Sequence, residues 1–351
     1  MAQNASELEF RTVAVIMAGG IGERFWPLSR RKTPKQLLAI TGARTMIQEA
    51  VRRIEPVVPR RRMLVVTNVV QAPAVRLQLP GLKHLVAEPV GRNTAPCVAL
   101  AAVQLARKDP QAVMVVVPAD SWIGDVAAYR RVVRECLALA ARREVLITIG
   151  IKPTTPHTGY GYVQVGEKLT GRFAKAARFV EKPNRATAQR YLASGQYRWN
   201  AGMFVWSARA ILAAYRRYQP AMLAAIERIS DDRSLRRIYP RLENISVDYA
   251  IMEKADNVVV AQGDFPWDDV GDWAALARHL PAAAAGNAVR GSFLGVDAND
   301  CVVVSRPDHL VAALGVSGLI IVHTPDATLV CRREDSQRVR ELVGKLTDRY
   351  R

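Results

Sequence analysis

The chain has 351 residues, 50% hydrophobic and 23% charged, enough for a large domain, a smaller one and a sizeable core. Its 50 Lys and Arg against 32 Asp and Glu give a formal charge of +18, which favours anionic partners: nucleic acid, anionic membrane or phosphorylated small molecules. Its four cysteines, Cys97, Cys136, Cys301 and Cys331, form no Cys-x-x-Cys pair, which argues against a zinc site, a redox motif or a disulfide framework.

The opening segment MAQNASELEF lacks the basic start and apolar run of a secretory signal. No later segment approaches the roughly 20 apolar residues that span a bilayer. A cytoplasmic protein without a membrane partner is the simplest reading. Short β-branched runs then alternate with amphipathic stretches. "TVAVIM", "RMLVVT" (62–67), "KHLVAE" (83–88), "AVMVVVPAD" (112–120) and "EVLITIGI" (144–151) are predicted strands. "TMIQEAVRRI" (45–54), "TAPCVALAAVQLARK" (94–108) and "VAAYRRVVRECLALAARR" (126–143) are predicted helices. Continuous apolar strands joined by helices predict a parallel sheet covered on both faces, with ligands beyond the strand C-terminal ends.

After Gly150 the texture changes. "KAARFVEKP" and "YRWNAGMFVWS" read as strands, "NRATAQRYLASG" as a helix stopped by glycine, and Ala208 to Ala255 as a helical stretch. "LPAAAAGN" (280–287) is a candidate boundary. Beyond it, "CVVVS", "HLVAAL", "GLIIV" and "ATLVC" predict a small solenoid-like β module, closed by the helix "SQRVRELVGKL".

The segment "VAVIMAGGIGERFWPL" leads a strand into Gly19, Gly20 and Gly22. Such a turn brings backbone N–H groups close to an anion. The dinucleotide pattern G-x-G-x-x-G fails, because Phe25 stands at its third glycine, and no Gly-Lys-Ser/Thr follows for a Walker loop. Arg24 and Lys35 flank the turn and would clamp a triphosphate as a fork and a point charge. Asp120 ends an apolar strand in a basic protein, a good position for a hard-metal ligand, with the N-cap of the next segment as the alternative.

"MAGGIGERFWPLS" followed by "TPKQ" resembles the signature of sugar-phosphate nucleotidyltransferases, and within them is similar to bacterial mannose-1-phosphate guanylyltransferases. "AEPVGRNTAP" (87–96), "VVPAD" (116–120), "TGYGYV" (158–163), "FVEKP" (179–183), "WNAGMFVW" (199–206), "ISVDYAIMEK" (245–254) and "WDDVGDW" (267–273) follow in the family's order. The resemblance therefore covers the chain through Trp273, and the tail resembles the family's C-terminal β module. It implies an α/β fold: a Rossmann-like, GT-A-like domain over 8–281, its mixed and mostly parallel sheet flanked by helices. A small β module with a terminal helix, left-handed β-helix-like, is expected over 288–351.

The implied reaction joins GTP and mannose 1-phosphate to give GDP-mannose and pyrophosphate, with Mg²⁺ or another divalent cation as cofactor. The resemblance leaves room for a homodimer. Some relatives carry an isomerase domain; this chain shows no His/Glu metal cluster after Trp273, so one activity is expected.

Carried over residue by residue, the loop at Ala18, Gly19, Gly20 and Gly22, with Arg24 and Lys35, grips the triphosphate. Base contacts come from "EPVGRNTAP" through Glu88, Arg92 or Asn93, and Thr94 stands where the next helix begins. Asp120 and Asp269 hold the metal, while Asp268 and Asp272 read as exposed or capping competitors. Lys182 clamps the sugar phosphate, Glu181 accepts from sugar hydroxyls, and Gly161 lets backbone groups reach the sugar. Asn200 and Asp248 are further hydroxyl partners, Asp248 having a helix N-cap as its alternative. Ser121 departs from the family, where His is expected after the metal Asp. The six tryptophans read as core or crevice wall. Two other readings remain: transfer of another nucleotide to another sugar 1-phosphate, or a non-catalytic nucleotide-binding regulator. The charge supports the latter, but no basic-aromatic stripe for nucleic acid is present.

Overall fold

The computed structural model of the protein describes residues 11–351; the opening MAQNASELEF segment, and with it the expected domain start at residue 8, lies outside them. In chain order the elements begin with β1 (Thr12–Met17), α1 (Met46–Ile54), β2 (Met63–Asn68), α2 (Ala72–Gln78), β3 (His84–Glu88), α3 (Thr94–Lys108) and β4 (Val113–Pro118). Then come β5 (Trp122–Ile123), α4 (Val126–Ala140), β6 (Leu146–Ile151), β7 (Tyr162–Thr170), β8 (Phe173–Val180), α5 (Arg185–Ser194) and β9 (Tyr197–Ser207). Helices α6 (Ala208–Tyr218), α7 (Pro220–Glu227) and α8 (Asp232–Ile238) precede β10 (Val258–Gly263), β11 (Trp267–Asp268) and α9 (Trp273–Leu276). The tail holds β12 (Ala288–Arg290), β13 (Ser292–Val296), β14 (Val302–Val304), β15 (Leu310–Leu314), β16 (Leu319–Thr324), β17 (Ala327–Arg332) and α10 (Val339–Gly344). No helix among the described residues is long and apolar enough to cross a membrane.

The main sheet has nine strands in the order β3-β2-β1-β4-β9-β6-β10-β8-β7. The sheet is mixed and mostly parallel, because β8 and β9 alone run against the other strands. The parallel half is the β-branched half: "AVI", "LVV" and "MVVV" are buried on both faces, as crossover helices require. One apolar layer covers α1 and α4, and a second covers α3, α6 and α7 on the opposite face.

The antiparallel half comes from the turn-rich middle of the sequence. Strand β9 inserts between β4 and β6 and also pairs with β7. Its register with β6 shifts between Thr148 and Gly150, next to Asn200, which turns that side chain toward the cleft. The expected helical stretch from Ala208 to Ala255 is broken into pieces. Pro220 opens α7, Asp231 caps α8 with a reciprocal Ser234 bond, Pro240 sits in a tight 3₁₀ turn, and Asp248–Met252 forms one π-helical turn.

In the tail, β12, β14 and β16 stack in parallel register, Ala288 against Val302 and Val302 against Ile320. On a second face β13 pairs with β15, and β17 folds back antiparallel on β16. The first two coils thus each contribute one short strand to each of two sheets, so the parallel partners are one coil apart rather than adjacent in sequence. The module is built into the rest of the molecule. Val302, Val304, Ile320, Val322, Leu329, Val339 and Val343 share one core with Phe25, Trp26, Ile40, Met46, Val270, Trp273 and Leu276.

Candidate active site

Strand β1 ends at Met17, and the chain turns through Ala18, Gly19 and Gly20 beyond the C-terminal edge of the sheet. The turn is held by its carbonyls. Gln36 Nε2 donates to Ala18 O at 2.8 Å and to Gly20 O at 2.9 Å; Gln71 Nε2 donates to Gly20 O at 3.1 Å and Thr67 Oγ1 to Ala18 O at 2.9 Å. Gln36, Thr67 and Gln71 are buried. With the carbonyls turned inward, the N–H groups of Gly19 and Gly20 are left to an anion. Gly22 adopts φ 68°, and a Cβ there would lie 2.5 Å from Lys35 Cβ. Only glycine allows that backbone and that approach.

Two chambers open from this turn. The smaller, about 410 Å³, is lined by Ala18, Gly19, Gly20, Glu88, Asn93 and Thr94, together with Asp120. The larger, about 620 Å³, is lined by Gly22, Arg24, Lys35, Asp120, Gly161, Glu181, Asn200, Asp248 and Asp269. Asp120 belongs to both walls. Of the residues expected at the site, all but Lys182 and Arg92 line one chamber or the other.

At the junction, Lys35 Nζ lies 3.0 Å from Asp120 Oδ2 and donates to Asp269 O at 2.5 Å. Tyr160 Oη donates to Asp269 Oδ1 at 2.7 Å. Burial raises the Asp269 carboxyl above its usual range, against the pull of Lys35 and Tyr160. Asp120 caps no helix, since Asp125 accepts from Ala128 N at 2.9 Å and performs that role. The loop after Asp120 is fixed by Arg53, whose guanidinium donates to Ser121 O at 2.9 Å, and Ser121 is itself buried. Asp272 does cap α9, accepting from Ala275 N at 2.8 Å. Asp268 is neither exposed nor capping: it is buried, with Arg278 at 2.6 Å and His279 at 2.9 Å on Oδ2. Burial works to raise its carboxyl, but His279, the Val270 N–H and Arg278 outweigh that and hold it low.

On the small-chamber side, burial pushes the Glu88 carboxyl up to about 7, with the Tyr239 hydroxyl pulling the other way. Asn93 takes φ 64° and caps α3, its Oδ1 accepting from Thr94 N at 2.9 Å. Arg92 points elsewhere: its guanidinium donates to Pro240 O, and it lines neither chamber. Thr94 Oγ1 accepts from Val247 N at 2.9 Å, which ties the start of α3 to the turn carrying Asp248.

In the large chamber, Asn200 Nδ2 donates to Asp248 Oδ1 at 2.8 Å, and Thr148 Oγ1 donates to Asn200 Oδ1 at 2.8 Å. Asp248 opens the π-helical turn, and its side chain bonds Asn200 rather than capping. Burial and the neighbouring Glu181 raise its carboxyl. Gly161 leaves room for that carboxylate neighbour, because a Cβ there would collide with Glu181 Oε2. Lys182 is exposed at the rim with φ 46°, its ammonium paired to Glu181. Burial works to lower that ammonium, but Glu181 and Asp248 outweigh it.

Sequence reasoning missed Gln36, Gln71, Tyr160, Arg53 and Tyr239, which set the geometry of the residues it named. Gln36 and Tyr160 lie inside quoted motifs, so the motif was the available signal; Arg53, Gln71 and Tyr239 arrive from distant elements and carry none.

The arrangement has relatives. Residues 13–285 match a family model described as nucleotidyl transferase, and residues 291–346 one described as a MannoseP isomerase/GMP-like beta-helix domain. The chain is 40% identical to a mannose-1-phosphate guanylyltransferase of Klebsiella pneumoniae, over 96% of this chain and 74% of that protein. It is 37% identical to a mannose-1-phosphate guanylyltransferase of Escherichia coli strain K12, over 95% and 73%. It is similar in structure to a Thermus thermophilus protein described as a mannose-1-phosphate geranyltransferase, at 38% identity and TM-score 0.88, covering 95% of this chain and 99% of that one.

Proposed function

The chain belongs to the nucleotidyl transferase family, among the mannose-1-phosphate guanylyltransferases, and from that premise we propose that it transfers GMP from GTP to mannose 1-phosphate, giving GDP-mannose and pyrophosphate. The observation that carries the reading is the meeting of two chambers at Asp120, one beside the glycine turn and one beside Glu181 and Asp248. A nucleotide with its base in the first and its phosphates reaching past Asp120 along Gly22 and Arg24, and a sugar phosphate beside Glu181 and Asp248, would bring the α-phosphorus and the attacking oxygen together there.

The attacking phosphate oxygen is already an anion, so no base has to deprotonate it. The obstacle is repulsion between anions, and positioning with charge neutralisation is the remedy. Asp120 and Asp269 fit a hard divalent cation: both are oxygen donors lining the larger chamber, and the Lys35 ammonium meets the Asp120 carboxylate and the Asp269 backbone carbonyl. No group of three or more His, Cys, Asp or Glu side chains among the described residues forms a metal cage, so water and phosphate oxygens complete this reading of the site. Mg²⁺ held there supplies charge neutralisation at the reacting phosphates.

The chain's own residues do the rest. The turn at Ala18–Gly22 and Arg24 hold the triphosphate, and Lys35 keeps Asp120 in place. Glu88 accepts from the guanine N1–H and amino group, with Asn93 and Thr94 beside it. Glu181, Asn200 and Asp248 take the sugar hydroxyls, and Lys182 swings from Glu181 onto the sugar phosphate. The cytoplasm is the proposed setting. A homodimer belongs to the same reading; exposed Leu294, Val296, Leu310 and Leu314 on the sheet of β13 and β15 support a second copy as the contact. A one-chain mass by light scattering removes it.

A pyrophosphate-release assay tests the function, run with each NTP against mannose, glucose and fucose 1-phosphate at millimolar Mg²⁺. Preferred turnover of GTP with mannose 1-phosphate is expected. Preference for another pair refutes the substrate assignment, and no turnover with any pair leaves only a nucleotide-binding regulator.

A further inference from the structure

The larger chamber takes one wall residue from the far end of the chain. Arg340, in α10 of the β module, lines it together with Ile21, Gly22, Glu23 and Arg24. Packing fixes the placement. Val339 and Val343, one helical turn apart, are buried in the core that also contains Phe25 and Trp26. Arg340 follows Val339 and is exposed. The facing segment is tied to the same module: Trp26 Nε1 donates to Tyr350 O at 2.9 Å, and Arg31 N to Arg351 O at 3.1 Å.

Charge then separates Arg340 from its neighbours. Arg338 pairs with Asp335 at 3.1 Å and Glu341 at 3.3 Å. Lys35, the buried cation of the chamber, is held by Asp120. Among the described residues Arg340 and Arg24 have no carboxylate partner, and Glu23, the nearby acid on the same wall, pairs with neither. Two free guanidinium forks thus face one chamber beside a glycine turn. That geometry suits a ligand with several adjacent phosphate oxygens, which a single point charge serves less well.

We propose that Arg340 binds the β- and γ-phosphates of the nucleotide and the pyrophosphate that departs, so that the β module supplies part of the phosphate site. The proposal rests on the nucleotidyl-transfer reading above and assigns the module a direct role in it.

The test uses the full chain, its Arg340→Ala and Arg340→Lys variants, and Arg338→Ala as the control on the same helix. Pyrophosphate affinity is measured by titration calorimetry with Mg²⁺, and the reverse reaction is followed with GDP-mannose and pyrophosphate. Arg340→Ala is expected to weaken pyrophosphate about tenfold in both measurements, the loss of one charge-assisted contact. The KM for GDP-mannose and the melting temperature should hold, Arg340→Lys should recover part of the affinity, and Arg338→Ala should match the parent. The proposal is overturned if Arg340→Ala binds pyrophosphate within about twofold of the parent, or if Arg338→Ala weakens it equally, which would mark a diffuse field effect. A parent that turns over substrates, with Arg340→Ala binding and using pyrophosphate as the parent does, removes this inference alone. A parent without any turnover, whose pyrophosphate binding still depends on Arg340, removes the transfer reaction and keeps the phosphate site.

Discussion

Gly22 and Gly20 differ by two positions and by what a methyl group would do to them. At Gly22 the left-handed φ of 68° and the 2.5 Å approach to Lys35 Cβ leave no room, whereas a Cβ on Gly20 meets nothing within 4 Å. Gly22→Ala should therefore cost about 1–2 kcal/mol of stability through backbone strain. It should also lower kcat about 100-fold by moving Lys35 off Asp120, while Gly20→Ala keeps the parent melting temperature. Equal melting temperatures and rates for the two variants would show that Lys35 is not positioned by the turn. Glu88 carries the pH dependence. Its raised pKa, about 7 in the fold, means that the neutral acid is the form the fold favours. That stabilising contribution is complete below the unfolded value near 4.5 and is lost as pH rises through about 7. Accepting from guanine needs the carboxylate, so the KM for GTP should rise up to tenfold per unit as pH falls below about 7 and level off above it. In Glu88→Gln that slope should vanish, and a parent KM flat between about pH 6 and 8 would separate Glu88 from the base. The glycines and acidic residues were legible because their chemistry is local. The partners that tune them were not: Lys35 meets Asp120 and Glu88 meets Tyr239 across long stretches of chain.

At the level of elements, the start of α3 links the two chambers. Its N-cap Asn93 faces the small chamber, while Thr94 Oγ1 accepts from Val247, next to Asp248 in the large one. Replacing Thr94 with valine keeps the shape and removes the acceptor, leaving the Val247 N–H unpaired in a partly buried site. A loss of about 1–3 kcal/mol is expected, with the KM for mannose 1-phosphate rising more than that for GTP, although Thr94 lines the small chamber proposed for the nucleotide. A change confined to GTP would show that the link is structural only. Sequence patterning gave the parallel strands and α3 almost residue for residue, because both are buried and β-branched or strongly periodic. It read 208–255 as one helical stretch because apolar spacing persists through Pro220 and Pro240, and a π turn leaves no mark in periodicity. The positive φ at Asn93, Lys182 and Val270, all beside proposed site residues, is equally silent in sequence, since none of them is glycine.

For the whole molecule, the excess of positive charge and the seam between its two parts both bear on function. A net charge of +18 draws anionic substrates inward, and kcat/KM should fall with added salt while kcat changes little. The tail's short strands were legible as a solenoid-like module, but its attachment was not, because the shared core joins residues near both ends of the chain. Seven module side chains, Val302, Val304, Ile320, Val322, Leu329, Val339 and Val343, bury the underside of Phe25, Trp26, Val270 and Trp273. Those residues flank Arg24 and Asp269, so the module supports both the glycine turn and the Asp269 loop. Removing it exposes an apolar face on the remaining part, a loss on the order of 10 kcal/mol at typical burial values. That is comparable with the whole net stability of a typical domain, about 5–15 kcal/mol. A chain cut after Asn287 should consequently lose its cooperative thermal transition and become sensitive to protease around residues 21–31 and 269–276, with activity falling by at least 100-fold. A truncated chain that melts cooperatively and retains GTP binding would show that the catalytic part stands alone, and that the shared core contributes contact without support.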